Sequence, residues 1–262
     1  MPPLPWALRR NEPFLFRRAV SHWPAVQTWS AHYLARVAAA MGDVEATYRS
    51  TPSDMDRVDL DRLKRGTMSL RALLEACAED PTGPELYVPG LNIPPGTPLG
   101  REMGKPAVLE EADVFGTSIF LGRNTKCIGH YHPKTQAMLC QVQGKKRIWM
   151  YPPSELPKVH LFPFWSEGFF RSEVNWYGDR KRFPRAAEAK GTLYELEPGD
   201  ALFIPLHWLH VPEGEGWNVS VTYWWRPTIA EWPIGLSTVR TLAGIGVEAI
   251  RQRRSGVVGR FE

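Results

Sequence analysis

From Val114 onward the sequence is cut into short apolar runs separated by turn residues, and this spacing constrains the fold more than any other feature. Val114 to Leu121 alternates in part, Gly122-Arg123-Asn124 turns, and Lys126 to His132 is predicted to extend again. Ala137 to Val142 runs into Gln143-Gly144, and Arg147 to Tyr151 stops at Pro152-Pro153. Thr192 to Leu196 leads through Pro198-Gly199-Asp200 into the apolar run Ala201 to Pro205, and Val219 to Trp224 closes the series. Strands this short, with Gly and Pro between them, predict an antiparallel sandwich or barrel.

The flanks read differently. Residues 30–42 predict a helix capped by Ser30 and ended by Gly42, followed by a short strand from Val44 to Tyr48. Ser69 to Ala78 predicts a second helix, with Leu70, Leu73, Leu74 and Cys77 at helical spacing. Between about residues 80 and 106, Pro and Gly predict loops. After Pro227, Leu236, Val239, Leu242, Ile245 and Ala249 recur on one helical face, from about Pro233 to Arg254, with Gly244 and Gly246 inside the run. The chain of 262 residues suits one domain: a mixed part over 1–110, a β core over 111–226 and a C-terminal helix over 227–262. The helix's apolar stripe calls for burial, on its own domain or against a second copy.

Hydrophobic residues at 43% and charged residues at 23% exclude a disordered tail or a fibre. No apolar run approaches the ~20 residues of a membrane span, and Met1 to Trp6 lacks a secretory signal, so the expected place is the cytoplasm. Three cysteines (Cys77, Cys127 and Cys140) without CxxC spacing argue against a disulfide framework or a thiolate zinc site. The net charge of +4 comes from short basic bursts that read as solvated surface, so a nucleic-acid partner is not expected.

Chemistry concentrates in Gly129-His130-Tyr131-His132-Pro133. On a strand, side chains two apart share a face, so His130 and His132 can bind one ion together. A third donor comes from Pro198 to His210, which ends Leu206-His207-Trp208-Leu209-His210. Three imidazoles cover one face of an octahedral metal and leave the other open.

These residues carry a resemblance. HYHP, the run Gln141-Val142-Gln143-Gly144-Lys145-Lys146-Arg147, and Pro-Gly-Asp at 198–200 leading to His210 resemble the JmjC and cupin-like iron(II) and 2-oxoglutarate oxygenases. So do Val219 to Trp225 and the opening around Pro13 to Ser30, and the likeness covers about residues 10–226 in order. It implies a mainly β fold, a double-stranded β-helix or jelly-roll core with flanking helices. It also implies iron(II) held by His130 and His210, selecting His210 over His207, which becomes a pocket-lining candidate. Lys146 is implied as the partner of the 2-oxoglutarate C5 carboxylate, with Cys127 and Thr222 as further co-substrate contacts. Tyr131, Gln136, Trp149, Trp208 and Trp224 are pocket candidates that could equally fill a core.

Three departures from the family pattern matter. His132 stands where the family has a carboxylate ligand, and Cys127 where it often has Thr. The loop between His132 and Gln141 is one residue longer than usual, with Thr135 or Gln136 where many members have Asn. With a carboxylate and dianionic 2-oxoglutarate, the iron(II) shell carries net charge −1; with His132 it carries zero, which disfavours the oxidised metal. Such a site would also accept zinc, nickel or copper. Three readings follow: a 2-oxoglutarate-dependent hydroxylase, a non-catalytic metal-binding module, and a 2-oxoglutarate-independent three-histidine dioxygenase. The resemblance implies small-molecule or peptide side-chain substrates and a possible homodimer through the C-terminal helix.

Overall fold

Alternation along the strands builds two antiparallel sheets whose faces are chemically distinct. The computed structural model describes residues 10–42, 44–50, 57–58, 64–92, 96–178 and 180–255. In chain order its elements begin with β1 (Phe14–Phe16), α1 (Pro24–Thr28), α2 (Ala31–Ala40), β2 (Glu45–Ser50), β3 (Lys64–Ser69) and α3 (Leu70–Glu79). Next come β4 (Leu86–Asn92), α4 (Pro98–Glu102), β5 (Val114–Arg123), β6 (Gln136–Gln143) and β7 (Lys146–Tyr151). The chain continues through α5 (Pro184–Ala187), β8 (Thr192–Leu196), β9 (Ala201–Ile204), β10 (Leu209–Gly214), β11 (Trp217–Trp225) and α6 (Leu236–Ser255). Eight strands form one sheet, ordered β1-β9-β6-β11-β5-β4-β2-β3, and β10-β7-β8 form the second. The architecture is the expected one, a jelly-roll with flanking helices.

Along β6, Met138, Cys140 and Val142 join the core that the large sheet shares with α2 and α3. Ala137 and Leu139 face the other way and meet Ile148 and Met150 of β7, Leu196 of β8, and Leu202 and Ile204 of β9. The second cluster fills the space between the sheets. Strand β11 follows the same rule: Val219, Val221, Tyr223 and Trp225 pack toward the helices, leaving Ser220, Thr222 and Trp224 on the alternate face. The turn from β6 to β7 crosses from one sheet to the other. Gly144 makes it possible, at φ +70° and with a would-be Cβ 2.2 Å from the Trp217 carbonyl oxygen.

The helices form where capping residues and apolar faces coincide. Ser30 accepts the Tyr33 N–H and Ser69 the Ala72 N–H, satisfying donors at the starts of α2 and α3. Arg123 closes α3 from β5, donating to Ala76 O at 2.6 Å and Asp80 O at 2.5 Å.

Several expectations need correction. The Pro/Gly stretch over 80–106 is not all loop: β4 pairs with β5, and a bulge between Pro89 and Leu91 absorbs Pro89-Gly90. The short strands β1, β3 and β10 also lie outside the expected set, and β1 to β4 extend the core sheet from the N-terminal part. Lys126 to His132 is extended but joins no ladder, only isolated bridges at Lys126 and His130. The reason is local. With His130 paired to His210, the next hydrogen-bonded pair would set Ile128 against Pro212, which has no N–H to give.

Helix α6 attaches through small and polar residues rather than its apolar stripe. Ser237, Thr241 and Gly244 are buried, whereas Leu236, Val239, Leu242 and Ile250 are exposed. Gly244 sits where a Cβ would come within 2.6 Å of the Phe169 ring, so this glycine inside the helical run is a packing requirement. Arg240 donates to the carbonyls of Phe162 and Phe169, and Arg251 to Trp165 O at 2.7 Å. No described helix is long and apolar enough to cross a membrane. Met1 to Trp6, read above for a signal, lies outside the described residues.

Candidate metal centre

His130 and His210 face each other across a two-bond antiparallel bridge, His130 N–H to His210 O at 3.1 Å and His210 N–H to His130 O at 2.8 Å. Directly opposed residues project to the same face, and their ring centroids stand 4.2 Å apart. His132, two residues on, brings its ring to 4.6 Å from His210 and 5.5 Å from His130. One ligand atom from each of the three lies within 4.8 Å of the others, the arrangement needed to hold one ion.

Two of the rings are oriented by their backbone. His130 Nδ1 lies 2.8 Å from Ile128 O, the carbonyl that Pro212 leaves without a ladder partner, and His210 Nδ1 lies 3.0 Å from Trp208 O. An Nδ1–H bonded to a carbonyl leaves the Nε2 lone pair for metal. His132 has no such support; its Nδ1 is buried without a partner. Burial pushes His130 down to about 4, and burial followed by the charges of neighbouring histidines holds His132 and His210 well below the usual histidine range. All three rings are therefore neutral near pH 7, and a metal displaces no proton. Three converging neutral imidazoles fit iron(II) or another divalent ion of the late first row.

Lys146 opens β7 and is buried, in the alternation that also buries Ile148 and Met150. Burial pushes its ammonium down to about 8, against a smaller opposing pull from the Cys127 thiol. Cys127 Sγ stands 3.9 Å from His130 Nδ1. The Trp224 ring meets His132 at 4.8 Å. Thr222 Oγ1 is buried without a partner on the face of β11 that Trp224 shares; both amide atoms of Gln136 also lack partners, but Gln136 pairs with Trp225 and shares the helix-side face of β6 with Met138, away from the triad. Buried polar groups are nearly always bonded, so unpartnered ones beside a donor cluster mark a place where a ligand completes the bonds.

Other candidates are placed elsewhere. Trp149 is on the face of β7 opposite Lys146, partly exposed and stacked over Tyr151. Trp208 pins the N-terminal segment by donating to Asn11 O at 2.7 Å. Tyr131 points away from its two histidine neighbours into a separate apolar cluster, where its hydroxyl meets Thr241 of α6 at 3.0 Å. His207 is fully buried between the rings of Tyr131 and Trp232 and is not part of the triad. Its backbone, at φ +64°, reverses the chain ahead of β10.

Sequence reasoning passed over Arg49, Arg171 and Tyr177. Arg49 Nη2 lies 3.5 Å from Cys127 Sγ, and the backbone of Arg171 bridges that of His130. The Tyr177 hydroxyl donates to Cys127 O at 2.9 Å and Pro212 O at 2.6 Å. These residues lie outside every recognisable motif and reach the site only through the fold.

Comparison with known proteins bears on the same residues. A family model described as "Cupin-like domain" matches residues 5–231. The chain is 28% identical to lysine-specific demethylase 8 of Xenopus tropicalis over 230 residues, 82% of this chain and 48% of that protein. It is 23% identical over 247 residues to the human bifunctional peptidase and (3S)-lysyl hydroxylase JMJD7, covering 82% of this chain and 77% of that protein. Against lysine-specific demethylase JMJ31 of Arabidopsis thaliana it is 33% identical over 100 residues, 37% of this chain and 18% of the plant protein. The chain thus spans less than half of two of these relatives and about three quarters of the third.

Proposed function

Because the chain belongs to the cupin-like domain family, we propose that it is an iron(II)-dependent oxygenase that uses 2-oxoglutarate and O2 to hydroxylate a C–H bond. The reaction takes 2-oxoglutarate, O2 and the substrate C–H to succinate, CO2 and the alcohol. His130, His132 and His210 are the proposed ligands, and iron(II), when bound, supplies oxygen activation. The observation that carries the reading is the meeting of three neutral, converging imidazoles with a buried lysine and unpartnered polar groups.

The chain's own residues bind and orient. Lys146, charged below pH 8, pairs with the distal carboxylate of 2-oxoglutarate in a site that strengthens the interaction by excluding water. Thr222 offers a hydroxyl to the same co-substrate. Trp224 covers His132 and limits water on that side. Cys127, in the position often held by Thr, keeps a weak donor beside His130. The relatives' names point to a peptide or protein side chain as substrate, with a small molecule as the other class. The exposed stripe of α6 supports a homodimer that covers it.

Anaerobic protein mixed with iron(II) and 2-oxoglutarate is expected to develop a visible charge-transfer band, and to release succinate when O2 is admitted. Absence of both would remove the proposal. One observation favours a second reading, a static metal module: His132 replaces a carboxylate and its ring lacks a backbone partner. Under that reading, metal binds and succinate is never formed.

A further inference from the structure

Among the described residues, the charges beside the triad are unbalanced. In the hairpin of β2 and β3, Arg49 stands directly opposite Arg65, a like-charge pair that costs stability unless something answers it. Arg49 spans from the ring of Tyr87, 5.2 Å below its guanidinium carbon, to Cys127 Sγ, and its Nε is buried with no partner. Arg171 arrives from the long segment after β7, with its backbone bridged to His130 and its guanidinium over the Phe170 ring. Burial and then the charges of Arg49 and Arg65 depress the Arg171 guanidinium, so the three fields overlap. Among the described residues two carboxylates act on the group, Glu85 on Arg49 and Glu167 on Arg171, while Glu173 is engaged by Arg57. Among the described residues, the three guanidiniums thus face two carboxylates.

Resting on the oxygenase reading above, we propose that Arg49 and Arg171 hold a carboxylate of the substrate, so that this chain oxidises an acidic substrate rather than a lysine side chain. Lys146 suffices for the distal carboxylate of 2-oxoglutarate, which leaves the guanidiniums for a second anion. A guanidinium fork matches a carboxylate with two parallel hydrogen bonds, and the unpartnered Nε is one such donor. A lysine ammonium entering the same space would meet three like charges. Cys127, the residue that departs from the family's Thr, is the group that Arg49 touches.

The test is calorimetric binding to the full chain, metal-free and zinc-loaded, so that no turnover is needed. The probes are a decapeptide with central Glu residues, the same peptide with Lys in their place, and free N-acetylglutamate. 2-Oxoglutarate is titrated in parallel. The acidic peptide or N-acetylglutamate is expected to bind at least about tenfold more tightly than the lysine peptide, and whichever binds identifies the source of the carboxylate. Arg49→Gln and Arg171→Gln should each remove about tenfold of that affinity and leave 2-oxoglutarate within about twofold. Arg49→Lys should recover only part, since it keeps the charge and loses the fork. Arg65→Gln, at an exposed position that threatens folding least, should weaken acidic binding about two- to threefold. Equal or tighter binding of the lysine peptide, or loss of 2-oxoglutarate in step with the acidic probe, overturns the proposal. Because succinate release is not read, failure here is distinct from failure of the oxygenase reading.

Discussion

Two groups of buried polar side chains sit on the same two strands and behave in opposite ways. Near the β6–β7 turn, the Gln141 amide donates to Gln143 O at 2.6 Å, Gly144 O at 2.9 Å and Asn218 Oδ1 at 3.2 Å. It also accepts from Ser220 Oγ at 2.7 Å, and Asn218 donates to Lys145 O at 2.7 Å. This network is closed and holds the turn that delivers Lys146. Toward the other end of β6 and β11, Gln136 and Thr222 are equally buried and have no partners, Gln136 on the helix side and Thr222 on the face that also meets His132, whose Nδ1 is likewise unpartnered. A satisfied network builds structure, and an unsatisfied one beside a donor triad is held ready for a ligand. Polarity in the core therefore does not identify the site, and neither does a missing partner alone, since Trp23 Nε1 and His160 Nε2 lack partners elsewhere; missing partners beside converging donors do.

The sharpest way to break this contrast is to remove a ligand. His130→Ala or His210→Ala is expected to lower iron(II) affinity by more than about 100-fold while leaving the closed network and the fold intact, as read by metal titration and circular dichroism. His132→Asp should act in the opposite direction. An anionic ligand restores the shell charge of −1, and uncoupled conversion of 2-oxoglutarate to succinate should rise; a folded, metal-loaded variant that makes no succinate counts against a modified hydroxylase.

Lys146→Met is next in size. Loss of one charge-assisted contact should raise the 2-oxoglutarate dissociation constant by about 10- to 100-fold, while the ligand-free protein becomes no less stable because a desolvated ammonium is gone. The pH dependence has a definite sign. The folded pKa of about 8 is below the unfolded value of about 10.4, so the unfolded chain binds more protons between them. Stability of the ligand-free protein from this group rises with pH across that window, and 2-oxoglutarate affinity falls. Lys146→Met should flatten both curves in denaturation and binding measurements.

Smaller effects separate the two polar groups directly. Gln141→Ala should cost about 1–3 kcal/mol in urea denaturation, because Ser220 and Asn218 lose a partner. Thr222→Val, which removes a hydroxyl without a partner, should fall within about 1 kcal/mol of wild type or stabilise, and show its effect in 2-oxoglutarate binding. Similar costs for the two would erase the distinction. For α6, light scattering should report a dimer for the full chain and a monomer after Leu242→Glu or truncation at Pro227; a monomer at both lengths ends that part of the account.

The same contrast explains how much was legible in the sequence. Strand periodicity, the Gly144 turn and the caps Ser30 and Ser69 are local signals, and they lead to most of the central strands and to α2 and α3. Strand β4 was hidden because Pro89-Gly90 reads as a turn until neighbouring strands impose a bulge. For the candidate site, spacing paired His130 with His132, and the family resemblance supplied His210 and Lys146. Trp149 and Tyr131, pocket candidates that could equally fill a core, lie away from the triad for one reason: parity along the chain decides which face a ring occupies, and nearness in sequence to a ligand does not. Arg49 and Arg171 were illegible because their roles arise from cross-strand register and a loop crossing, which no local pattern encodes.

Crystals grown anaerobically with iron(II), measured on both sides of the iron absorption edge, address the central claim most directly. The account predicts one anomalous peak bonded to a nitrogen of each of His130, His132 and His210, with the side facing Lys146 open to small ligands. A peak elsewhere, no peak at saturating iron(II), or a fourth protein atom closing the metal would contradict it.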